Sequence, residues 1–234
     1  MVSTKLILLS ISALAMVQTQ STEPYCDELT TTKTTAKPTT TKTTAKPTTT
    51  KITWGCPSTW TKFSRTLGQW CIKIYTGTFT YEGAKAQCKA VGGVLSGVEN
   101  AAERTFVINR GISILNTIGT VKEGALWLGA LRSTACRGNN ATLSICVPAV
   151  NKAFVWTDGF TTGKSMMTWM PNQPDYYQKG EAAVQMVIVN QATGSGGAVS
   201  GQLNDVSATL STAPNALNYI RGIVCGQKAK ATYS

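Results

Sequence analysis

The chain of 234 residues contains 22 Lys and Arg against 11 Asp and Glu, and it has no histidine. The lack of histidine excludes Ser-His-Asp and Cys-His catalysis, imidazole-based zinc sites and histidine acid–base chemistry. The basic residues are scattered and form no run interleaved with aromatic residues, which argues against nucleic-acid binding. Isolated carboxylates without a cofactor motif indicate no reaction, so we expect a binding protein and not an enzyme.

Residues 1–20 are typical of a signal peptide. Lys5 precedes an apolar stretch over residues 6–17, which is too short to cross a bilayer. A buried N-terminal helix is the alternative, but nothing nearby could pack against it. No later segment has the apolar length of a membrane span, and we therefore predict a secreted, extracellular protein.

Residues 21–53 are predicted to form a stalk rich in Thr, Lys and Pro. Within them, residues 30–51 repeat the sequence TTTKTTAKP twice and then TTTK. Such a segment has almost no large apolar residue with which to bury a core, so we expect it to stay extended. Dense O-glycosylation would stiffen it, and without glycans it would be a flexible linker. In both cases it is a spacer.

Residues 54–234 have the aromatic residues, glycines and cysteines of one globular domain. A first helix is predicted over residues 79–91 with Thr80 as its N-cap. A second starts at Asn100, where Glu103 completes a capping-box-like pair. Apolar runs then predict short strands at residues 126–130, 154–156, 184–189 and 219–225. Two helices followed by short strands and long loops predict an α+β domain.

Seven cysteines in a chain that enters an oxidising compartment indicate disulfides. Six of them lie in the domain, which is an even number: Cys56, Cys71, Cys88, Cys136, Cys146 and Cys225. Cys26 is left over upstream of the repeat. It is either capped by a small thiol or forms an intermolecular bridge, which would make the protein a dimer.

Several stretches of the domain follow one another in a distinctive order. They are GCPSTWTKF (55–63) before Cys71, TFTYEGAKAQCKAVGGVLSGVENAAERTFV (78–107), WLGA (127–130), FVWTDG (154–159), TWMPNQPD (168–175) and IVCGQK (223–228). Together they resemble the C-type lectin domain in its long form, which opens with an extra N-terminal hairpin. The resemblance covers residues from about Trp54 to Lys228 and implies a disulfide-stapled α+β fold with two helices, short antiparallel sheets and a long loop region.

The resemblance also implies how the cysteines pair. The pairs would be Cys56 with Cys71 and Cys88 with Cys225, and Cys136 and Cys146 would be left to close a small hairpin inserted after the WLGA strand. Closing the longest of these loops should contribute about 4 to 5 kcal/mol in the chain-entropy model. The insertion carries an N-glycosylation sequon at Asn140, where a glycan would face solvent.

Three segments of the domain resemble the family's ligand motifs. Gln173-Pro174-Asp175 resembles the QPD triplet, residues 180–184 the G-E-x-C-V segment and residues 203–208 the W-N-D-x-x-C segment. Calcium takes six to eight oxygen ligands. The resemblance implies a Ca²⁺ site built from the side chains of Gln173, Asp175, Glu181, Asn204 and Asp205, with two vicinal sugar hydroxyls completing the shell. It also implies a cis peptide bond before Pro174, since X-Pro is the linkage at which cis costs little.

The triplet resembles the galactose-selecting version of the motif. Galactose-type members place an aromatic residue two positions after it, which here is Tyr177, beside Tyr176. The resemblance thus implies a lectin for galactose-type glycans, acting in defence or surface recognition, whose sugar contacts are Gln173, Asp175, Tyr177, Glu181, Asn204 and Asp205. Gln-Pro-Asp is also an ordinary turn tripeptide, and both tyrosines could equally serve loop packing.

Three departures from the family pattern concern the same loops. Ala183 and Ala208 stand where the family usually has its inner disulfide, and Leu203 replaces the usual tryptophan. We therefore expect a looser site with weak affinity. The alternative is a calcium-independent member of the same fold that binds protein or serves as a scaffold.

Overall fold

The computed structural model describes residues 51–142, 146, 151–210 and 217–233. The predicted signal peptide, Cys26 and almost all of the predicted stalk lie outside these ranges. Within the described residues, no helix combines the length and apolar character needed to cross a membrane.

Two helices form where the sequence predicts them: α1 spans Tyr81–Ala90 and α2 spans Ala101–Ile118. Thr80 caps α1 by accepting a hydrogen bond from the N–H of Gly83 (3.2 Å). Asn100 caps α2 by accepting one from the N–H of Glu103 (3.0 Å). The Glu103 carboxylate accepts in return from the side-chain amide of Asn100 (3.4 Å), and it also accepts from the N–H of Glu99 (2.8 Å) and from a buried arginine.

The described strands are β1 (Ile52–Gly55), β2 (Thr61–Arg65), β3 (Gly68–Thr76), β4 (Val94–Leu95), β5 (Glu123–Arg132), β6 (Phe154–Trp156), β7 (Ala183–Val189), β8 (Leu203–Val206), β9 (Ile220–Lys228) and β10 (Lys230–Tyr233). The main sheet has the order β2-β3-β9-β5-β7-β8, with β4 paired to β9 and β6 to β5. Its neighbours are antiparallel except β5 and β9. All four predicted strands are present, which confirms the α+β class, and β8 is an additional strand that places the 203–206 segment beside β7.

The N-terminal pairing starts slightly earlier than the predicted boundary at Trp54. Strand β1 pairs with β10 through Ile52 opposite Tyr233, so Ile52 and Thr53 belong to the domain and not to the stalk. Strands β2 and β3 then form an antiparallel hairpin. It is the extra hairpin that the resemblance implies.

Three disulfides join the pairs that the resemblance implies: Cys56–Cys71, Cys88–Cys225 and Cys136–Cys146. The Cys88–Cys225 bridge ties α1 to β9. The insertion closed by Cys136 and Cys146 is not a hairpin in its described part, which forms two short 3₁₀ helices, Thr134–Cys136 and Gly138–Thr142. Its glycine and two asparagines favour tight turns over strand pairing.

The core lies between the helices and the main sheet, and β5 runs through its centre. Trp127 of β5 is fully buried, and its indole N–H donates to the carbonyl of Phe79 (2.8 Å). Helix α2 approaches the sheet closely at Gly111, where a Cβ would lie 2.7 Å from Cδ1 of Ile188. Leu203 is fully buried, so this smaller side chain fills the core position at which the resemblance led us to expect tryptophan.

A buried ionic cluster joins the hairpin to α2 and to the loop after β6. Arg65 bonds Glu103 (Nε–Oε1 2.7 Å) and Asp158 (Nη1–Oδ2 3.3 Å), and all three side chains are fully buried. Burial alone would raise the pKa of Asp158, but hydrogen bonds from Thr161, Phe160 and Gly97 outweigh it and lower that pKa below its ordinary value. The cluster therefore contains ionised groups that are well satisfied by hydrogen bonds.

Candidate functional site

Three carboxylates converge where the loop before β7 meets β8. Asp175 and Glu181 lie on this loop, and Asp205 lies on β8. One oxygen of each lies within 4.8 Å of the other two, and this is the one such acidic group found among the described residues. We call residues 173–181 the Pro174 loop. Its Gln173–Pro174 peptide bond is cis, as the resemblance implies.

The Pro174 loop is folded around these carboxylates by its own backbone N–H groups. Asp205 accepts from the N–H of Asp175 (3.1 Å) and from that of Tyr176 (3.2 Å). The N–H of Tyr177 donates to Glu181 (2.9 Å). The amide oxygen of Gln173 accepts from the N–H of Asp175 (3.2 Å), so it shares a donor with Asp205 and belongs to the same cluster.

Arg132, the last residue of β5, contacts this cluster. Its Nη2 lies 2.6 Å from Oδ2 of Asp205, and the arginine is 2% exposed. Its Nε donates to the carbonyl of Glu181 (3.1 Å). The guanidinium carbon lies 3.9 Å from the ring centroid of Tyr176 and 4.6 Å from that of Phe154. Sequence patterns did not identify this residue, and its only signal there is a charge at the end of the apolar run LWLGALR.

Three carboxyl groups and one guanidinium determine the pKa values within the cluster. Burial, together with a hydrogen bond to Asp175, raises the pKa of Glu181 from 4.5 to about 8. Burial also raises the pKa of Asp205, although Arg132 and the N–H of Tyr176 act in the opposite direction. A cation bound among the three carboxylates would favour their ionised forms and oppose these upward pKa shifts.

Asn204 does not join the other predicted ligands. Successive residues of a strand point to opposite faces, so the Asn204 side chain lies across β8 from Asp205. Its Nδ2 donates to Oδ1 of Asn218 (3.2 Å), which also accepts from Gln185 of β7 (2.6 Å). The predicted five-ligand set therefore has four members in one place and the fifth on the opposite face.

The two tyrosines of the loop have different environments. Tyr176 covers Arg132, and its hydroxyl accepts from the N–H of Gly138 in the Cys136–Cys146 insertion (2.9 Å). Tyr177 is 63% exposed. Tyr176 is therefore a packing residue, and Tyr177 presents its ring to solvent beside the carboxylates.

The Cys136–Cys146 insertion borders this site. Asn139 accepts a hydrogen bond from Lys179 of the Pro174 loop (2.9 Å), and the next residue is the exposed Asn140 of the sequon. A glycan on Asn140 would therefore begin close to the loop.

The sequence model of the family described as C-type lectin domain-containing protein 141/158 matches residues 57–228. The chain belongs to this C-type lectin domain family. Among curated proteins it is similar to a type-2 ice-structuring protein of Hemitripterus americanus, with 27% identity over 120 residues that make up 51% of this chain and 54% of that protein. The chain thus matches about half the length of this relative.

Solved structures similar to this C-type lectin domain include a calcium-independent type II antifreeze protein, with 22% identity, a TM-score of 0.47, and coverage of 76% of this chain and 98% of that one. The carbohydrate-recognition domain of cow CD23, crystallised in the presence of an oligosaccharide, has 21% identity, a TM-score of 0.47, and coverage of 76% and 99%. The C-type lectin CEL-I of Cucumaria echinata has 22% identity, a TM-score of 0.45, and coverage of 76% and 99%.

The donors of this C-type lectin domain fit a calcium ion. Oxygens bound to one calcium at 2.3–2.6 Å lie at most about 5 Å apart, and the three carboxylate oxygens lie within 4.8 Å of one another. Carboxylate and amide oxygens are also the ligand types that this hard cation prefers. Arg132 uses part of the acceptor capacity of Asp205, which leaves Gln173, Asp175 and Glu181 as the more accessible donors.

Proposed function

We propose that the domain binds galactose-type glycans through a calcium ion held by the Pro174 loop. The ligands would be the side chains of Gln173, Asp175 and Glu181, with the remaining acceptor position of Asp205. The convergence of three carboxylates within 4.8 Å is the observation that supports this assignment most strongly. When bound, calcium would supply open coordination positions for two vicinal sugar hydroxyls, and the function is binding without catalysis.

The exposed surface beside the carboxylates suits a sugar ring. Tyr177 offers a free aromatic face, and by analogy with aromatic pairs its stacking on the sugar should contribute about 0.5 to 1.5 kcal/mol. Gln173 and Asp175 place an amide and a carboxylate on either side of Pro174. The amide of Gln173 can donate to and accept from hydroxyls and the carboxylate of Asp175 accepts from them, which supports recognition of an ordered hydroxyl pair.

The affinity for calcium is expected to be low for two reasons. Asn204 points away from the cluster, so one amide ligand is missing. Arg132 already neutralises part of the charge of Asp205. Both effects reduce the number and charge of oxygens available, which are the properties that set calcium affinity.

Chromatography on immobilised galactose tests the proposal. The protein should be retained in millimolar calcium and eluted by a chelator, and Asp175→Asn should not be retained. Glu82→Gln is the matched control, because Glu82 is an exposed acid on α1 whose ion pair within the described residues is with Lys85 (2.9 Å). It should behave as the unaltered protein does. Retention that a chelator does not change would contradict the proposal.

A calcium-independent binding or scaffold module is the second candidate. The ion pair between Arg132 and Asp205 favours it, because a fixed guanidinium already occupies the side of Asp205 where a cation would bind. Calorimetric titration separates the two candidates. Heat and a rise in melting temperature on adding millimolar calcium would support the lectin. The absence of both effects would support the scaffold.

We also propose that the protein acts outside the cell. Three disulfides in one domain are typical of oxidising compartments. A signal peptide over residues 1–20 and a stalk over residues 21–53 would deliver the domain and extend it from its attachment point or partner. Cys26 would allow a dimer. Mass spectrometry of the secreted protein, with and without reduction, would test the cleavage site and the dimer.

A further inference from the structure

Arg132 contacts groups from three separate parts of the domain. Its guanidinium is bonded to Asp205 of β8 and to the Glu181 carbonyl of the Pro174 loop. Its guanidinium carbon also lies within 4.6 Å of the ring centroids of Phe154 from β6 and Tyr176 from the loop. One side chain at the end of β5 therefore connects the middle and the C-terminal end of the Pro174 loop to the main sheet.

We propose that Arg132 is the positioning residue that holds the Pro174 loop in its ligand-binding conformation without calcium. Only the relevance of this conformation to glycan binding rests on the proposed function. The holding role itself depends on contacts made by the chain alone.

The chemistry of the guanidinium suits this role. Its planar fork donates in two directions while its two faces stack on aromatic rings, which a compact ammonium group cannot do as well. Asp205 in turn uses its carboxylate to fix the N–H groups of Asp175 and Tyr176. The order of contacts is thus Arg132 to Asp205 to the loop backbone, and each link is a hydrogen bond of 2.6 to 3.2 Å.

Removing Arg132 would leave a buried carboxylate without its counter-charge. Asp205 is fully buried, and Arg132 is the one side chain shown bonded to it in the described part of the domain. A buried charge that loses its partner is strongly destabilising, and Asp205 would be expected to move towards water. This movement weakens its two hydrogen bonds to the loop.

Hydrogen–deuterium exchange of the full protein in a chelator tests this proposal by mass spectrometry of peptides that cover residues 173–181. The loop should be protected in the unaltered protein without calcium. In Arg132→Met its exchange should be roughly 100-fold faster or more, given the cost of breaking a buried pair. Arg132→Lys should be intermediate, because lysine keeps the charge and loses the fork.

Arg65→Met is the matched control. Arg65 is also a buried arginine in an ion pair, and it lies 4.7 Å from the ring of Trp70. It lies on β2, which is at the opposite edge of the main sheet from β8. Both methionine variants should lower the melting temperature, by roughly 6 to 20 °C. Only Arg132→Met should release the loop at temperatures where both variants are folded.

Three results would overturn the proposal. One is a loop that exchanges freely in the unaltered protein in the chelator. Another is a loop that stays protected in both Arg132 variants. The third is equal release by Arg65→Met, which would make the effect a general loss of stability. Since no calcium or glycan is present, these outcomes are independent of the galactose-binding test.

Discussion

Replacing Glu181 with glutamine should stabilise the calcium-free protein and remove its response to calcium. The glutamine side chain would keep the shape of the glutamate and accept from the N–H of Tyr177, as Glu181 does at 2.9 Å. Its amide could donate to Asp175, which is what a protonated Glu181 does. Above a pH of about 8, where Glu181 is ionised, the substitution removes one negative charge from the cluster, and at any pH it leaves the hydrogen bonds in place.

The size of the stabilisation depends on pH. Burial and the contact with Asp175 raise the pKa of Glu181 from 4.5 to about 8 in the folded protein. The folded state therefore holds a proton that the unfolded state has lost between these two values, so stability falls as pH rises through this window. The full shift corresponds to about 5 kcal/mol, but Glu181 is partly in contact with water, and we expect about 1 to 2 kcal/mol.

Thermal melts of both proteins in a chelator measure this effect. The melting temperature of Glu181→Gln should exceed that of the unaltered protein by roughly 2 to 8 °C at pH 9, and the two should agree near pH 4. Calcium at 100 times its dissociation constant should then add about 2.7 kcal/mol to the unaltered protein only. A difference that does not vary with pH would refute the electrostatic reasoning, and an undiminished calcium response in the variant would refute the ligand role.

Three further predictions concern separate parts of the domain. Tyr177→Ala should weaken galactose binding by about 2- to 13-fold in a calorimetric titration and leave the melting temperature unchanged, because the ring is exposed; an unchanged affinity would exclude stacking. Asp158→Asn should lower the free energy of unfolding by about 2 kcal/mol at pH 7. Because the pKa of Asp158 is lowered in the folded state, its ionised carboxylate stabilises the fold above the ordinary pKa of 3.8, and the difference should disappear as pH falls below that value. A difference that stays constant in melts from pH 7 to pH 2.5 would contradict this. Thr142→Ala should remove the N-glycan at Asn140 from protein secreted by eukaryotic cells and increase its mobility on a gel; equal mobility would mean that the sequon is unused.

The fold could be predicted because its signals are local or occur in a fixed order. Thr80 and Asn100 mark helix starts through side-chain caps that need only neighbouring residues. The apolar runs around Trp127 and Val187 mark buried strands. The disulfide connectivity could be predicted only through the resemblance, since spacing alone does not determine how the six cysteines pair with one another.

The electrostatic details of the site could not be predicted, because they depend on which face of a strand a residue occupies. Asn204 and Asp205 are adjacent in the sequence, yet β8 turns only Asp205 towards the Pro174 loop. Glu103 matched a capping pattern, but its carboxylate also forms a buried ion pair with Arg65, which lies 38 positions earlier in the sequence. Long-range partners of this kind have no local pattern.

Arg132 changes what the departures from the family pattern imply. Ala183 and Ala208 suggest a loose loop, since no disulfide can form between them. In the structure, Arg132 bonds Asp205 of β8 and the Glu181 carbonyl of this loop, and it contacts the rings of Phe154 and Tyr176. Unlike a disulfide, the ion pair between Arg132 and Asp205 competes with a bound cation for the Asp205 carboxylate. The feature that keeps the loop in place without calcium is therefore also the feature expected to lower its affinity for calcium.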